Sequence, residues 1–141
     1  MLAAAERDPR IDVELGYATA DRKNELHATA DLMVLPYTSF ASQSAVLQDA
    51  YGHRLPVVVS DVGALGETIR EDKTGWVVPP GDAEVLAATI STALHDVAGL
   101  RAAAAAAGAI ARARTPLLTG RRLREVYERV AGQAGDPGRD S

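Results

Sequence analysis

Two short apolar runs mark the middle of the chain, LMVL at Leu32 to Leu35 and PVVV just ahead of Ser60. Neither alternates with polar residues, which is how a parallel strand covered on both faces reads. The first run stops at Pro36, a residue that cannot donate to a sheet ladder. Each run leads into a loop of Ser, Thr, Gly and Asp, and each loop opens a segment with helical spacing. In a parallel sheet such loops lie at the carboxyl ends of the strands, where the next helix aims its unpaired N–H groups at a common crevice.

The flanking segments extend the same alternation. Ile11, Val13 and Leu15 alternate with Asp12 and Glu14, predicting a half-exposed strand over Ile11 to Tyr17, and Leu2 to Arg7 reads as the end of a helix. Thr19 is placed to cap a helix running to about Thr29. A helix over residues 42–51 follows the first run. After the strand Val57 to Ser60 comes a short helix near Leu65 to Glu71, and Lys73-Thr74-Gly75 turns into a strand over Trp76 to Val78. Asp82 then caps a helix whose Leu86, Ile90, Ala93 and Leu94 fall on one face. Strand alternating with helix implies an α/β fold, a layered parallel sheet with right-handed crossovers.

Beyond this the chain is rich in alanine from Leu100 to Ala113, favourable for helix but poor in large apolar surface. Pro116 opens a last helix with Leu117, Leu123, Val126, Tyr127 and Val130 able to face a partner surface. The tail from Gly132 to Ser141, with its glycines, proline and mixed charges, reads as disordered. No internal repeat is visible.

Composition narrows the function. With 141 residues the chain holds one domain, and its formal charge of -4 argues against a nucleic-acid or anionic-membrane partner. The basic stretch Arg112 to Arg129 is interleaved with apolar residues and reads as a solvated helix face. The absence of cysteine excludes disulfides, thiolate nucleophiles and Cys-ligated zinc, and fits a cytoplasmic protein. The first ten residues lack the basic and apolar segments of a signal peptide, and Ala102 to Ala113 is too short for a transmembrane segment.

The candidate chemistry lies in the two middle loops. Ser42 and Asp49 are seven residues apart, on nearly one helix face and about 10 Å apart along the axis. That matches the span from a diphosphate to the ribose of one nucleotide. Ser42, Gln43, Ser44 and the first-turn amides suit a phosphate, and Asp49 suits ribose hydroxyls. Composition alone favours the plainer alternative, in which Ser42 is an N-cap and Asp49 a solvated acid. The loop from Ser60 to Glu67 adds Gly63 and Gly66, where backbone can approach a ligand, while Glu67 also suits the helix dipole. Trp76 and the four tyrosines read as core or rim packing rather than stacking platforms, although Tyr37 in the first loop can touch a base or sugar. His27, His53 and His95 have no metal-ligand spacing, and no nucleophile elbow, P-loop or dinucleotide fingerprint is present.

Taken together, ADLMVLPY, DAYGHRLPVVVSDVGALGE and TGWVVPPGDAEVLAATISTAL, spanning about Ile11 to Leu94, resemble the C-terminal donor-binding domain of GT-B fold glycosyltransferases of the large retaining family 4. The resemblance implies a partial Rossmann-like parallel sheet with flanking helices. It also implies transfer of a sugar from a nucleotide-diphosphate-sugar substrate to an acceptor the sequence does not name, with no cofactor and no metal. By this resemblance Asp49 takes the place of the second acid of the paired-acid motif, the ribose ligand. Ser44 and Ala45 fall where backbone amides meet the diphosphate, and Gly63, Ala64 and Glu67 match the Gly-Gly-x-x-Glu loop beside the donor.

Three positions, Ala41, Arg54 and Gly66, depart from the pattern. Ala41 replaces the first acid of the motif, and the Gln43-Ser44 pair resembles a branch of the family that has lost that acid. Arg54 stands where the family has glycine, and Gly66, where it has proline, is expected to loosen its loop. The resemblance also implies that residues 1–131 are a truncated donor domain, with the basic residues that neutralise the diphosphate and the acceptor domain missing. Its partner is then that N-terminal domain or a second copy. The alternative is a non-catalytic nucleotide-binding or oligomerisation module derived from such an enzyme.

Overall fold

The computed structural model describes residues 7–39 and 44–114. The helix end expected over Leu2 to Arg7 falls almost entirely outside these residues. Ala41, Ser42, Gln43, the helix expected after Pro116 and the tail from Gly132 also lie outside them, and of Ser44 only the backbone is described.

Among the described residues three parallel strands form the sheet, β1 (Met33–Leu35), β2 (Val57–Ser60) and β3 (Gly75–Val78), in the order β1-β2-β3. Val57 pairs with Met33 on one side and Gly75 on the other, so the central strand is in register with both neighbours. Every residue of β2 is buried, as its unbroken apolar run predicts. In β1 only Leu35 is buried. Met33 and Val34 are half-buried, because β1 has a neighbour on one side only among the described residues.

The helices are α1 (Ala20–Thr29), α2 (Ser44–Gly52), α3 (Leu65–Asp72), α4 (Ala83–His95) and α5 (Val97–Ala113). Local chemistry starts most of them. Thr19, Asp82 and Asp96 each accept a hydrogen bond from a first-turn amide, those of Arg22, Val85 and Gly99. Asp96 also ends α4, so the expected alanine-rich helix begins earlier, at Val97, and the chain turns sharply there.

Strand parity divides the core. Leu35, Val57 and Val59 pack with Leu47, Ala50 and Tyr51 of α2, Leu65 and Ile69 of α3, and Ala107 of α5. Val58, Ser60 and Val78 point to the opposite face, where α4 lies on β2 and β3. The expected apolar face of α4 is real at Ala93, which is buried, and at Leu86 and Ile90, which are half-buried. Leu94 stays 46% exposed.

One expected element does not form. Ile11 to Tyr17 is irregular chain without strand pairing, and Leu15 and Tyr17 are 79% and 108% exposed. Alternation favours a pleated ribbon but supplies none of the cross-strand hydrogen bonds, and this segment pairs with none of the three strands. Arg22 instead ties it to α1 through an ion pair with Glu14.

Candidate functional site

The three strands end in polar loops on one edge of the sheet. β1 runs into Pro36, Tyr37, Thr38 and Ser39, β2 into Asp61 to Ala64, and β3 into Pro79 to Asp82. Asp61 N donates to Val78 O at 2.8 Å, tying the second loop to the end of β3. This is the arrangement predicted from the apolar runs, with α2, α3 and α4 all starting at the same edge.

The second loop is shaped by two short contacts. Val62 N donates to Ser60 O at 2.9 Å and Leu65 N to Val62 O at 3.2 Å, folding the chain back so that Val62 is buried and Gly63 is exposed. Gly63 has φ 54°, a left-handed conformation natural to glycine. Ala64, the residue before α3, has helical backbone angles and no side-chain cap, whereas α1, α4 and α5 are each capped. The first-turn amides of α3 therefore face the edge without a side-chain acceptor, in the positive end of the helix dipole.

Gly63, Ala64 and Glu67 are all exposed and sit within this one loop and first turn. Ala45 and Asp49 are exposed too, four residues apart on one face of α2, while Leu47 and Ala50 between and beyond them are buried. Asp49 serves a local role as well, since its carbonyl accepts from His53 N at 3.2 Å and from His53 Nδ1–H at 2.9 Å. The two groups thus come from different helices that start at the same edge of the sheet.

Asp61 occupies the same loop but is engaged elsewhere. Its Oδ2 lies 2.6 Å from Arg70, and that hydrogen bond holds its carboxyl below the usual range. The carboxylate rests directly over Gly66, so that a Cβ there would collide with Asp61 Oδ1. Gly66 is buried and makes room for the ion pair. Its absent side chain has a packing reason, the room it leaves for the Asp61 carboxylate.

A small cleft of about 170 Å³ opens beside the third loop, lined by Pro36, Thr38, Ser60, Pro79, Asp82 and Leu86 among others. Ser60 is only 2% exposed at its floor. Sequence spacing singles out neither Thr38 nor Asp82 as a ligand residue, because the three side chains come from separate strand ends. Knowing the strand order is the signal that joins them. Among the described residues no cluster of three His, Cys, Asp or Glu is placed to hold a metal ion, and no helix is long and apolar enough to cross a membrane.

Residues 3–96 match the sequence family described as Glycosyl transferases group 1. The chain belongs to that family. It is 35% identical over 104 residues to a phosphatidyl-myo-inositol mannosyltransferase of Mycobacterium leprae (strain TN), a match covering 73% of this chain and 28% of the relative. It is 33% identical over 84 residues to the sulfoquinovosyl transferase SQD2 of Arabidopsis thaliana, covering 57% of this chain and 16% of that protein. The solved structure of a sucrose-phosphate synthase from Thermosynechococcus elongatus superposes with a TM-score of 0.55 at 29% identity, covering 72% of this chain and 26% of that one. The chain therefore spans between about a sixth and about a quarter of the length of these relatives, and its parallel α/β sheet is consistent with a Rossmann-like domain of the GT-B fold.

In this group 1 glycosyl transferase chain Arg54, the position at which the resemblance expects glycine, has a clear backbone meaning. Arg54 has φ 56° just after α2, where its N–H donates to Tyr51 O at 3.0 Å and the next residue's N–H to Ala50 O at 2.9 Å. This is the left-handed helix stop that glycine makes without cost.

Proposed function

We propose that this chain supplies the donor-nucleotide side of a sugar-transfer site, binding a nucleotide-diphosphate sugar as substrate. The observation that carries the reading is the uncapped N-terminus of α3 behind the left-handed Gly63, on the loop edge shared with α2 and α4. In this reading the Ala64 amide and the first-turn amides of α3 beyond Leu65, together with the backbone at Ser44 and Ala45, receive the diphosphate. Asp49 takes the ribose hydroxyls and Glu67 the donor sugar. The chemistry is mainly positional: the donor is held still, and charge that develops on the leaving diphosphate is stabilised by fixed helix dipoles. The acceptor and the remainder of the site then belong to a second domain or chain, as the short span against the relatives suggests, and the reaction runs in the cytoplasm. Two of the relatives are named for transfer of a mannosyl or a sulfoquinovosyl group, which supports a sugar donor.

The test is titration with UDP, GDP and ADP followed by amide NMR. Saturable shifts at residues 44–49 and 63–67 with one of these nucleotides support the assignment. A folded sample that responds to none of them overturns it.

The exposed Leu15 and Tyr17, ahead of a β1 edge that is unpaired among the described residues, favour a second reading as an association module. Sedimentation equilibrium separates the two, since a strict monomer at high concentration counts against association.

A further inference from the structure

A second polar groove lies at the opposite end of the sheet. Asp31 stands just ahead of β1 and Arg54 just ahead of β2, and together with His27, His53 and Arg101 they line a groove of about 330 Å³ that Pro56 and Leu100 wall on its apolar side. It faces the amino ends of the strands, whereas the loops of the proposed donor site are at the carboxyl ends.

We propose that this groove binds a phosphate-class anion between the guanidinium groups of Arg54 and Arg101. Three independent observations carry it. The first is charge that is left unspent. Arg10, Arg22, Arg70 and Arg114 each pair with a carboxylate, yet Arg54 and Arg101 have no ion pair or hydrogen-bonded side chain among the described residues, in a chain with 19 acids. Arg54 and Arg101 thus bring like charge to one groove, and an anion between them offsets that charge and gains charge-assisted hydrogen bonds.

The second is backbone strain at one of the two. Arg54 holds the left-handed conformation that costs an L-residue about 1–2 kcal/mol. Residues held in such strained conformations cluster at binding and active sites. The third is the seat for its stem. Gly108 on α5 is buried, and a Cβ there would stand 3.1 Å from Arg54 Cγ and 3.2 Å from Nε, so this face of α5 is bare where the arginine lies.

The histidines fit the same chemistry. Their rings meet edge to face with centroids 5.1 Å apart. His53 Nδ1–H donates to Asp49 O, which leaves Nε2 for the groove or solvent. Asp31 is the one carboxylate on the lining, and both guanidiniums outweigh it. The planar fork of arginine suits the oxygens of a phosphate, whether free, on a soluble metabolite or on a lipid headgroup.

The probe is inorganic phosphate, added to the full chain at constant ionic strength against chloride. Saturable amide shifts at residues 53–56 and 100–104 are expected, with movement of the Nε–H signals of Arg54 and Arg101. Arg101→Gln and Arg54→Gly should each weaken binding by about tenfold or more. The glycine variant keeps the left-handed turn without strain, and its denaturation midpoint, read beside the titration, separates a loss of binding from a folding defect. A parallel arm uses vesicles of phosphatidylcholine with and without phosphatidic acid. Phosphate binding without vesicle uptake assigns a soluble phosphorylated ligand. Uptake that needs phosphatidic acid and is lost in both variants assigns a lipid headgroup. No response in either arm, or a response that survives both substitutions, overturns the proposal. Shifts at residues 63–67 with nucleotide report the donor site separately, so either site can fail without the other.

Discussion

The phenol oxygen of Tyr51 lies 3.0 Å from Asp72 Oδ2, to which it donates, and 2.9 Å from Thr74 Oγ1. This contact joins α2 to the end of α3 and the start of β3, across 21 and 23 residues of sequence. Both Tyr51 and Thr74 are fully buried, and Arg114 closes the group, 3.5 Å from Asp72 and over the Tyr51 ring. Tyr51→Phe keeps the ring packing but leaves the Thr74 hydroxyl without this partner. The expected loss is about 1–2 kcal/mol of unfolding free energy, read from urea denaturation.

The same burial pushes the Tyr51 phenol up to about 12. Its folded pKa lies above its unfolded value of about 10, so the neutral phenol's contribution is complete below pH 10 and is lost as pH rises towards 12. Wild type should lose stability through that window more steeply than Tyr51→Phe. Equal slopes for the two proteins between pH 9 and 12, roughly the span of the titration, would refute the account.

Gly75 has a different constraint. It opens β3 opposite Val57, and a Cβ at this place would run into the Val57 carbonyl, which is backbone and cannot step aside. Gly75→Ala is expected to cost more than about 3 kcal/mol, by forcing apart the pair that anchors β3 to the central strand. Gly52→Ala, with nothing near its Cβ, is the control and should shift the melting temperature little.

At Gly66 the obstacle is a side chain. Gly66→Ala must push Asp61 off Arg70, so it should reproduce the acid sensitivity of Asp61→Asn. Because the Asp61 carboxyl is held below its usual range, its ion pair contributes above the ordinary carboxylate pKa and is lost as pH falls through the lower folded value. Both variants should therefore show a flatter decline in stability on acidification than wild type. A decline in Gly66→Ala as steep as in wild type would mean the carboxylate had found room elsewhere.

What was legible in the sequence was what local chemistry decides. β2 was readable from four residues because a run without alternation has few other uses, and Thr19 and Asp82 announced their helices because a cap acts within one turn. The strand expected at Ile11 to Tyr17 shows the limit, since alternation needs a neighbour to become a strand. Contacts between distant elements were invisible for the same reason. Nothing near Tyr51 signals Asp72 and Thr74, and nothing in the histidine spacing signals that His27 and His53 meet. In the candidate donor site, Gly63 and Ala64 were legible as a loop after a buried strand, whereas the cleft over Ser60 depends on strand order.

Arg54 allows backbone strain to be separated from side-chain packing. Arg54→Ala removes the stem that lies on Gly108 and keeps a residue with a Cβ at φ 56°. Arg54→Gly removes the same stem and the strain together. The glycine variant should therefore be more stable than the alanine variant by about 1 kcal/mol, whatever the stem itself contributes. The comparison needs only denaturation midpoints at equal m-values. If the two variants melt alike, the left-handed backbone at this position carries no such cost, and the strain assigned to Arg54 falls with it.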